Sequence, residues 1–347
     1  MWLRRLIFLA LACTILVSCS SNDITVIDDS PADGELLSFP SAFYQNIVYI
    51  DGRLLGFTFG DAREAADRVS YAYEDDSALH PFDPLDAKDC PMFIGYAMKG
   101  LLPDGRIGFL GCGEGSNWSI FALGWQTGEV EQLLKGSLVE GYSSKDFTWN
   151  PQMTRGVQEM VNAAQGTIYW ITPEGSAPMD VEIEDQGLRW NLKDYYEHHD
   201  SLEPGIGYAR SPAWSPDGKT IAFFASTYGM REEPHLKANI KFELYFMDPS
   251  ELKPVQVISS IVNAVRIRWS PDSKYLLFQG CAGPRRKCGL WIYSLQSKTL
   301  TLVAEGEFFE DYIWNKDLSI VAIKFDINKY LEESEIWEYP IAPLLEP

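Results

Sequence analysis

The sequence predicts an all-β fold, a six-bladed β-propeller of four-stranded antiparallel blades, and three observations carry that prediction. A turn signature built on Trp-Ser-Pro-Asp recurs along the 347 residues. An aliphatic–aromatic strand follows the signature in most copies. Pro and Gly punctuate the chain at short intervals, which suits many short strands, and helical periodicity is almost absent outside 62–69 and the N terminus.

The N terminus comes first. Met1-Trp2-Leu3-Arg4-Arg5 precedes an apolar run over 6–17. Two arginines before about a dozen apolar residues make the charged and hydrophobic regions of an export signal. The run falls short of the roughly 20 residues that span a bilayer. Leu16-Val17-Ser18-Cys19 resembles the bacterial lipobox. That resemblance implies cleavage after Ser18, a diacylglyceryl thioether on Cys19 and an acylated new amine. Residues 1–18 are then the signal peptide, 19–35 a flexible polar tether and 36–347 the propeller. Several acyl chains anchor far more firmly than one, at about 0.8 kcal/mol per buried CH₂. Ser20 follows the cysteine, and in a Gram-negative cell the family rule would send such a chain to the outer membrane. Otherwise the anchor holds it on the outer face of the plasma membrane.

The repeat is read from its turns. Trp214-Ser215-Pro216-Asp217-Gly218 precedes the apolar run 221–224, and Trp269-Ser270-Pro271-Asp272 precedes 275–278. Trp314-Asn315-Lys316-Asp317 and Trp149-Asn150-Pro151-Gln152 are weaker copies. Leu102-Pro103-Asp104-Gly105 keeps the turn without the Trp, and Ile50-Asp51-Gly52 keeps less. The copies recur every ~45–65 residues, a spacing suited to one blade each. Pro, Asp and Gly each suit a defined place in a tight turn. The apolar run suits a buried strand, and the Trp can fill the space between neighbouring sheets. Blades are expected at about 45–88, 89–137, 142–185, 206–260, 262–305 and 308–340. The last is short of a strand, and 35–43 is expected to supply it beside 336–339, closing the ring and removing open strand edges.

At these motifs the chain resembles the TolB-type six-bladed propellers with WD40-like repeats. The resemblance covers about 36–347 and rests on 214–218 and 269–272. It implies a fold, and a role in protein contacts at the cell envelope.

Cys90, Cys112, Cys281 and Cys288 are left after Cys13 and Cys19, an even number in an oxidising compartment. Four cysteines allow three pairings, of which Cys90–Cys112 and Cys281–Cys288 are the local ones. A zinc site is disfavoured, since there is no Cys-x-x-Cys pair and the chain has 4 His.

A formal net charge of −20 excludes nucleic acid as a natural partner. No cofactor, metal or catalytic set is expected. No Gly-x-Ser-x-Gly elbow occurs, and 111–115 lacks the Lys-Ser/Thr of a phosphate loop. The insertions 74–89, 185–205 and 227–241 interrupt the repeat. The second carries Trp190, Tyr195, Tyr196 and His198, the best candidates for contact with a protein, peptide or glycan partner. The sequence therefore reads as a membrane-anchored binding module without catalysis. The alternatives are a metal-dependent propeller hydrolase of lactonase type, and a structural envelope component.

Overall fold

The computed structural model describes residues 24–28, 31–59, 69–82, 98–112, 118–134, 147–162, 165–185, 188–192, 208–226, 241–306, 309–315, 317–325 and 333–345. Two short strands come first, β1 (Thr25–Ile27) and β2 (Glu35–Leu36). Then β3 (Tyr44–Ile50), β4 (Arg53–Phe59), β5 (Val69–Tyr73) and β6 (His80–Phe82) pair in order as one antiparallel sheet. A second sheet holds β7 (Met98–Leu101), β8 (Ile107–Cys112), β9 (Trp118–Leu123) and β10 (Val130–Gln132). A third holds β11 (Phe147–Trp149), β12 (Gly156–Asn162), β13 (Gln165–Thr172) and β14 (Gly175–Pro178). The hairpin of β15 (Glu182–Asp185) and β16 (Leu188–Asn191) is a separate two-stranded sheet.

The next strands are β17 (Tyr208–Trp214), β18 (Ile221–Ser226), β19 (Lys241–Met247), β20 (Pro254–Trp269), β21 (Tyr275–Ala282), β22 (Lys287–Ser294) and β23 (Thr299–Glu305). They form one eight-stranded sheet with β1 parallel to β23 at its edge. The last sheet joins β24 (Phe309–Trp314), β25 (Ser319–Phe325) and β26 (Ser334–Pro340) to β2, and the short helix α1 (Ala342–Leu345) ends the described chain.

This is a propeller arrangement, but the expected count of six separate blades is corrected. Among the described residues four sheets are separate four-stranded blades. The units expected at 206–260 and 262–305 are not separate, because β20 runs 16 residues through both. Its first half pairs with β19 and its second half with β21, so hydrogen bonding continues where a break was expected.

The turns form as their residues dictate. Ser215 Oγ donates to Asp217 Oδ1 at 2.7 Å and accepts the Thr220 N–H at 3.0 Å. Ser270, Asp272 and Tyr275 repeat the pattern at 2.7 and 2.9 Å. Gly218 sits at φ 75°, where a side chain would be strained. Asp51 and Gly52, at φ 52° and 80°, make the two-residue hairpin turn between β3 and β4. Burial would raise the Asp217 pKa, but hydrogen bonds from Ser215 and the Lys219 N–H, with the Lys219 charge, hold it below the usual carboxylate value. Asp272 is lowered in the same way through Ser270 and Lys274.

Each repeat Trp packs against the preceding unit, as expected of a wedge. Trp214 lies 5.9 Å from Trp170, Trp269 5.6 Å from Phe246 and Trp314 6.2 Å from Tyr275, between ring centroids. The indole N–H of Trp269 donates to Ala213 O at 3.0 Å, and that of Trp314 to Arg268 O at 3.1 Å.

The apolar core is a chain of clusters between neighbours. Val48 and Phe57 meet Ile107 and Phe109, while Leu102 and Ile120 meet Phe147 and Trp149. Val157 and Ile168 meet Ile221 and Phe223. Leu277 and Ile292 meet Tyr312 and Ile320. Tyr44 and Ile47 meet Val321 and Ile336, which joins the first sheet to the last. The expected closing pair is present: Glu35 lies opposite Glu338 and Leu36 opposite Trp337.

The Cys281–Cys288 disulfide is present and links β21 to β22. Cys90 lies outside the described residues, so its expected bond to Cys112 does too. Cys19 and the signal also lie outside them. Within the segment read as a tether, 25–27 forms β1, while β2 at 35–36 lies at the start of the expected closing strand. No helix among the described residues is long and apolar enough to cross a membrane, which says nothing of a β-barrel.

Candidate functional site

The first strands of the units stand side by side around the axis. β3 neighbours β7 and β24, and β17 neighbours β11 and the inner half of β20, which neighbours β24. Where these strands end at the Trp-bearing turns, they enclose a cavity of about 440 Å³. Trp149, Trp214, Trp269 and Trp314 line it, with Pro103, Pro151, Pro216 and Pro271 from the turns and Leu101, Ile267 and Ile313 between them. The motif residues read as structural thus do two things. They wedge the sheets and they form the wall of a cavity.

The cavity is not wholly apolar. Arg268 and Asp311 also line it. Asp311 is only 2% exposed and accepts the Ile47 N–H at 3.2 Å, so it ties the last sheet to the first. Arg266 Nη1 and Arg268 Nη2 each approach Asp311 Oδ1 at 3.4 Å. Arg266 Nη1 also donates to the Glu310 carbonyl. A buried carboxylate needs such partners, because an unpaired charge there is costly.

A second polar centre joins β12 to β17. Glu159, 1% exposed, accepts the Ser211 N–H at 2.7 Å and lies 3.9 Å from Arg210 Nε. Ser211 Oγ in turn accepts the Arg266 N–H at 2.8 Å. Glu159, Ser211, Arg266 and Asp311 therefore link four neighbouring strands in one girdle.

Bulges aim these side chains. The register shifts between Arg210 and Ala213 in β17, between Val262 and Arg268 in β20, and between Phe309 and Asp311 in β24. Ser211 and Arg266 adopt positive φ, 52° and 49°, within those shifts. A bulge redirects a side chain that strict alternation would place on the other face. Non-glycine residues in that conformation are held by surrounding structure and cluster at functional sites.

The aromatic insertion expected to make contact is placed only in part. Trp190 stands in β16 opposite Ile183 of β15, so it belongs to a hairpin and not to a loop. Tyr195, Tyr196 and His198 lie outside the described residues. Among the described residues no three His, Cys, Asp or Glu side chains gather as a metal-holding group. Sequence reading missed the girdle altogether. Its sequence signal is the charged residues just before two of the repeat tryptophans, Arg266 and Arg268 before Trp269 and Glu310 and Asp311 before Trp314.

No family model matches the sequence. Dipeptidyl-peptidase 5 of Porphyromonas gingivalis is 25% identical over 178 residues, 51% of this chain and 23% of that protein. This chain thus spans about a quarter of that relative's length. Among solved structures, the gluconolactonase XC5397 of Xanthomonas campestris superposes with a TM-score of 0.50 at 11% identity, covering 89% of this chain and 90% of that one. TolB of Acinetobacter baumannii gives 0.44 at 14% identity, over 77% of this chain and 56% of that one. At these identities the likeness shows the fold alone, and the fold is a β-propeller.

The relative's name overturns one expectation. Catalysis was excluded because no catalytic motif stands in the sequence, and that exclusion is withdrawn. A local motif is the wrong test for a propeller, where groups from separate units meet at the axis as Arg268 and Asp311 do.

Proposed function

We propose that this protein is a lipid-anchored, extracytoplasmic propeller that binds a peptide segment in the cavity at the end of its channel. The observation that carries the reading is the meeting of four repeat tryptophans around one Arg–Asp pair. A peptide amide needs a donor and an acceptor, which a guanidinium and a carboxylate provide. The indole faces offer apolar contact for its side chains. Dipeptidyl-peptidase 5 is named for action on peptides, which favours that ligand class over a glycan.

Three finer points belong to the same reading. The ring has six units, with the eight-stranded sheet counted as two; the core clusters between successive units support this count. Cys19 carries the lipid, supported by the signal and lipobox. Cys90 and Cys112 form a second disulfide, supported by the oxidising compartment that Cys281–Cys288 also suits.

The test is calorimetry with a set of short peptides, followed by mass spectrometry of the same mixtures for cleavage. The reading expects saturable binding to the wild type. It expects about a tenfold weaker Kd, ~1.4 kcal/mol, for Arg268→Gln. No binding by any peptide, in a protein that melts normally, would sink it.

A further inference from the structure

The chain reaches the propeller on the side where the cavity lies. β1 runs parallel to β23, with Thr25 opposite Thr299, and the Thr25 N–H donates to Lys298 O at 3.2 Å. The turn before Thr299 stands beside the Trp269 turn, since the Leu295 N–H donates to Lys274 O at 3.0 Å. The start of β1 is therefore level with the Trp-bearing turns. Its far end, Ile27, lies opposite Thr301, part-way along β23, and just beyond it Lys287 Nζ donates to Asp28 O at 2.8 Å and Arg285 lies 3.8 Å from Asp28 Oδ1.

β1 is fastened, too. Ile24 and Val26 pack against the core of the eight-stranded sheet, and the Ala32 N–H donates to Val303 O at 2.8 Å. From Cys19 to Thr25 the chain spans at most about 20 Å. The propeller is thicker than that, since an eight-residue strand such as β21 alone is roughly 26 Å long.

The geometry points to an orientation: the anchor holds the Trp-bearing end, with its cavity mouth, toward the phospholipid surface. This rests on the lipid at Cys19. The opposite rim is held away by the length of the blades. A ligand then reaches the cavity from the membrane side, which fits a peptide segment near the bilayer.

The experiment uses the full lipidated protein in vesicles of 7:3 phosphatidylethanolamine to phosphatidylglycerol with a headgroup-labelled energy acceptor. A donor dye is placed by an unnatural amino acid at Lys274 or Arg286, both exposed and at opposite ends of β21. Transfer from position 274 is expected to exceed that from 286 several-fold. A twenty-residue Gly-Ser insertion between Asp23 and Ile24 is expected to shrink that difference while the protein stays bound. Equal or reversed transfer from vesicle-bound protein overturns the orientation and leaves the anchor standing. Protein that floats free of vesicles, with an unmodified Cys19 by mass spectrometry, overturns the anchor and the orientation together.

Discussion

Asp217 and Asp272 show how one residue type serves the turn. Each accepts a Ser hydroxyl and a backbone N–H, and each pKa is lowered in the fold. The sign follows from linkage. A carboxylate whose folded pKa lies below its unfolded value adds stability above the unfolded pKa, near 4. That stability is lost as pH falls through the folded value. Thermal melts of wild type should therefore weaken below about pH 4, and Asp217→Asn with Asp272→Asn should flatten that acid limb. Unchanged acid sensitivity in the double variant would contradict this account of the turns. At the same scale, Trp314→Phe keeps the wedge and loses the bond to Arg268 O, a loss of about 1 kcal/mol. Trp314→Ala also leaves a void and should cost ~3–5 kcal/mol in denaturant titrations. The Trp and Asp roles were legible because they depend on a few neighbouring residues. Asp311 was not, since its partners Ile47, Arg266 and Arg268 come from two other strands.

At the scale of elements, β2 is the piece that closes the ring. It is two residues long, yet it covers the edge of β26, and the following Leu37 N–H donates to Ile336 O at 2.9 Å. Deleting 35–43 should lower the melting temperature sharply and expose an edge for aggregation; a truncation that melts like wild type would refute the closure. The Cys281–Cys288 bond closes a short loop within one hairpin. In the loop-entropy view, reducing it should cost about 2.5 kcal/mol, measured as a shift in urea midpoint. The closing strand was legible because the last unit visibly lacked residues for a fourth strand. The fusion through β20 was not, because Trp269 announces a new turn without saying whether the strand before it is interrupted. β15 falls at the end of the expected blade 142–185, where buried Val181 and Ile183 alternate as strand residues do, but its partner β16 falls in the expected insertion 185–205, so their pairing was not legible.

For the whole molecule, the repeat sets where function can lie. Every unit delivers its first strand to the axis, so residues remote in sequence become neighbours at one end of the channel. Sequence reading looked for function in the insertions, where aromatic residues are conspicuous. The structure puts a cavity of about 440 Å³ among the repeat motifs themselves. The two places make different predictions for a bound peptide. The most direct measurement is photo-crosslinking of a bound, benzophenone-bearing peptide, with adducts mapped by mass spectrometry. Adducts on Trp214, Trp269 or Trp314, competed by unlabelled peptide, are the predicted result. Competed adducts confined to the 185–205 insertion, with none at the channel end, would contradict the account.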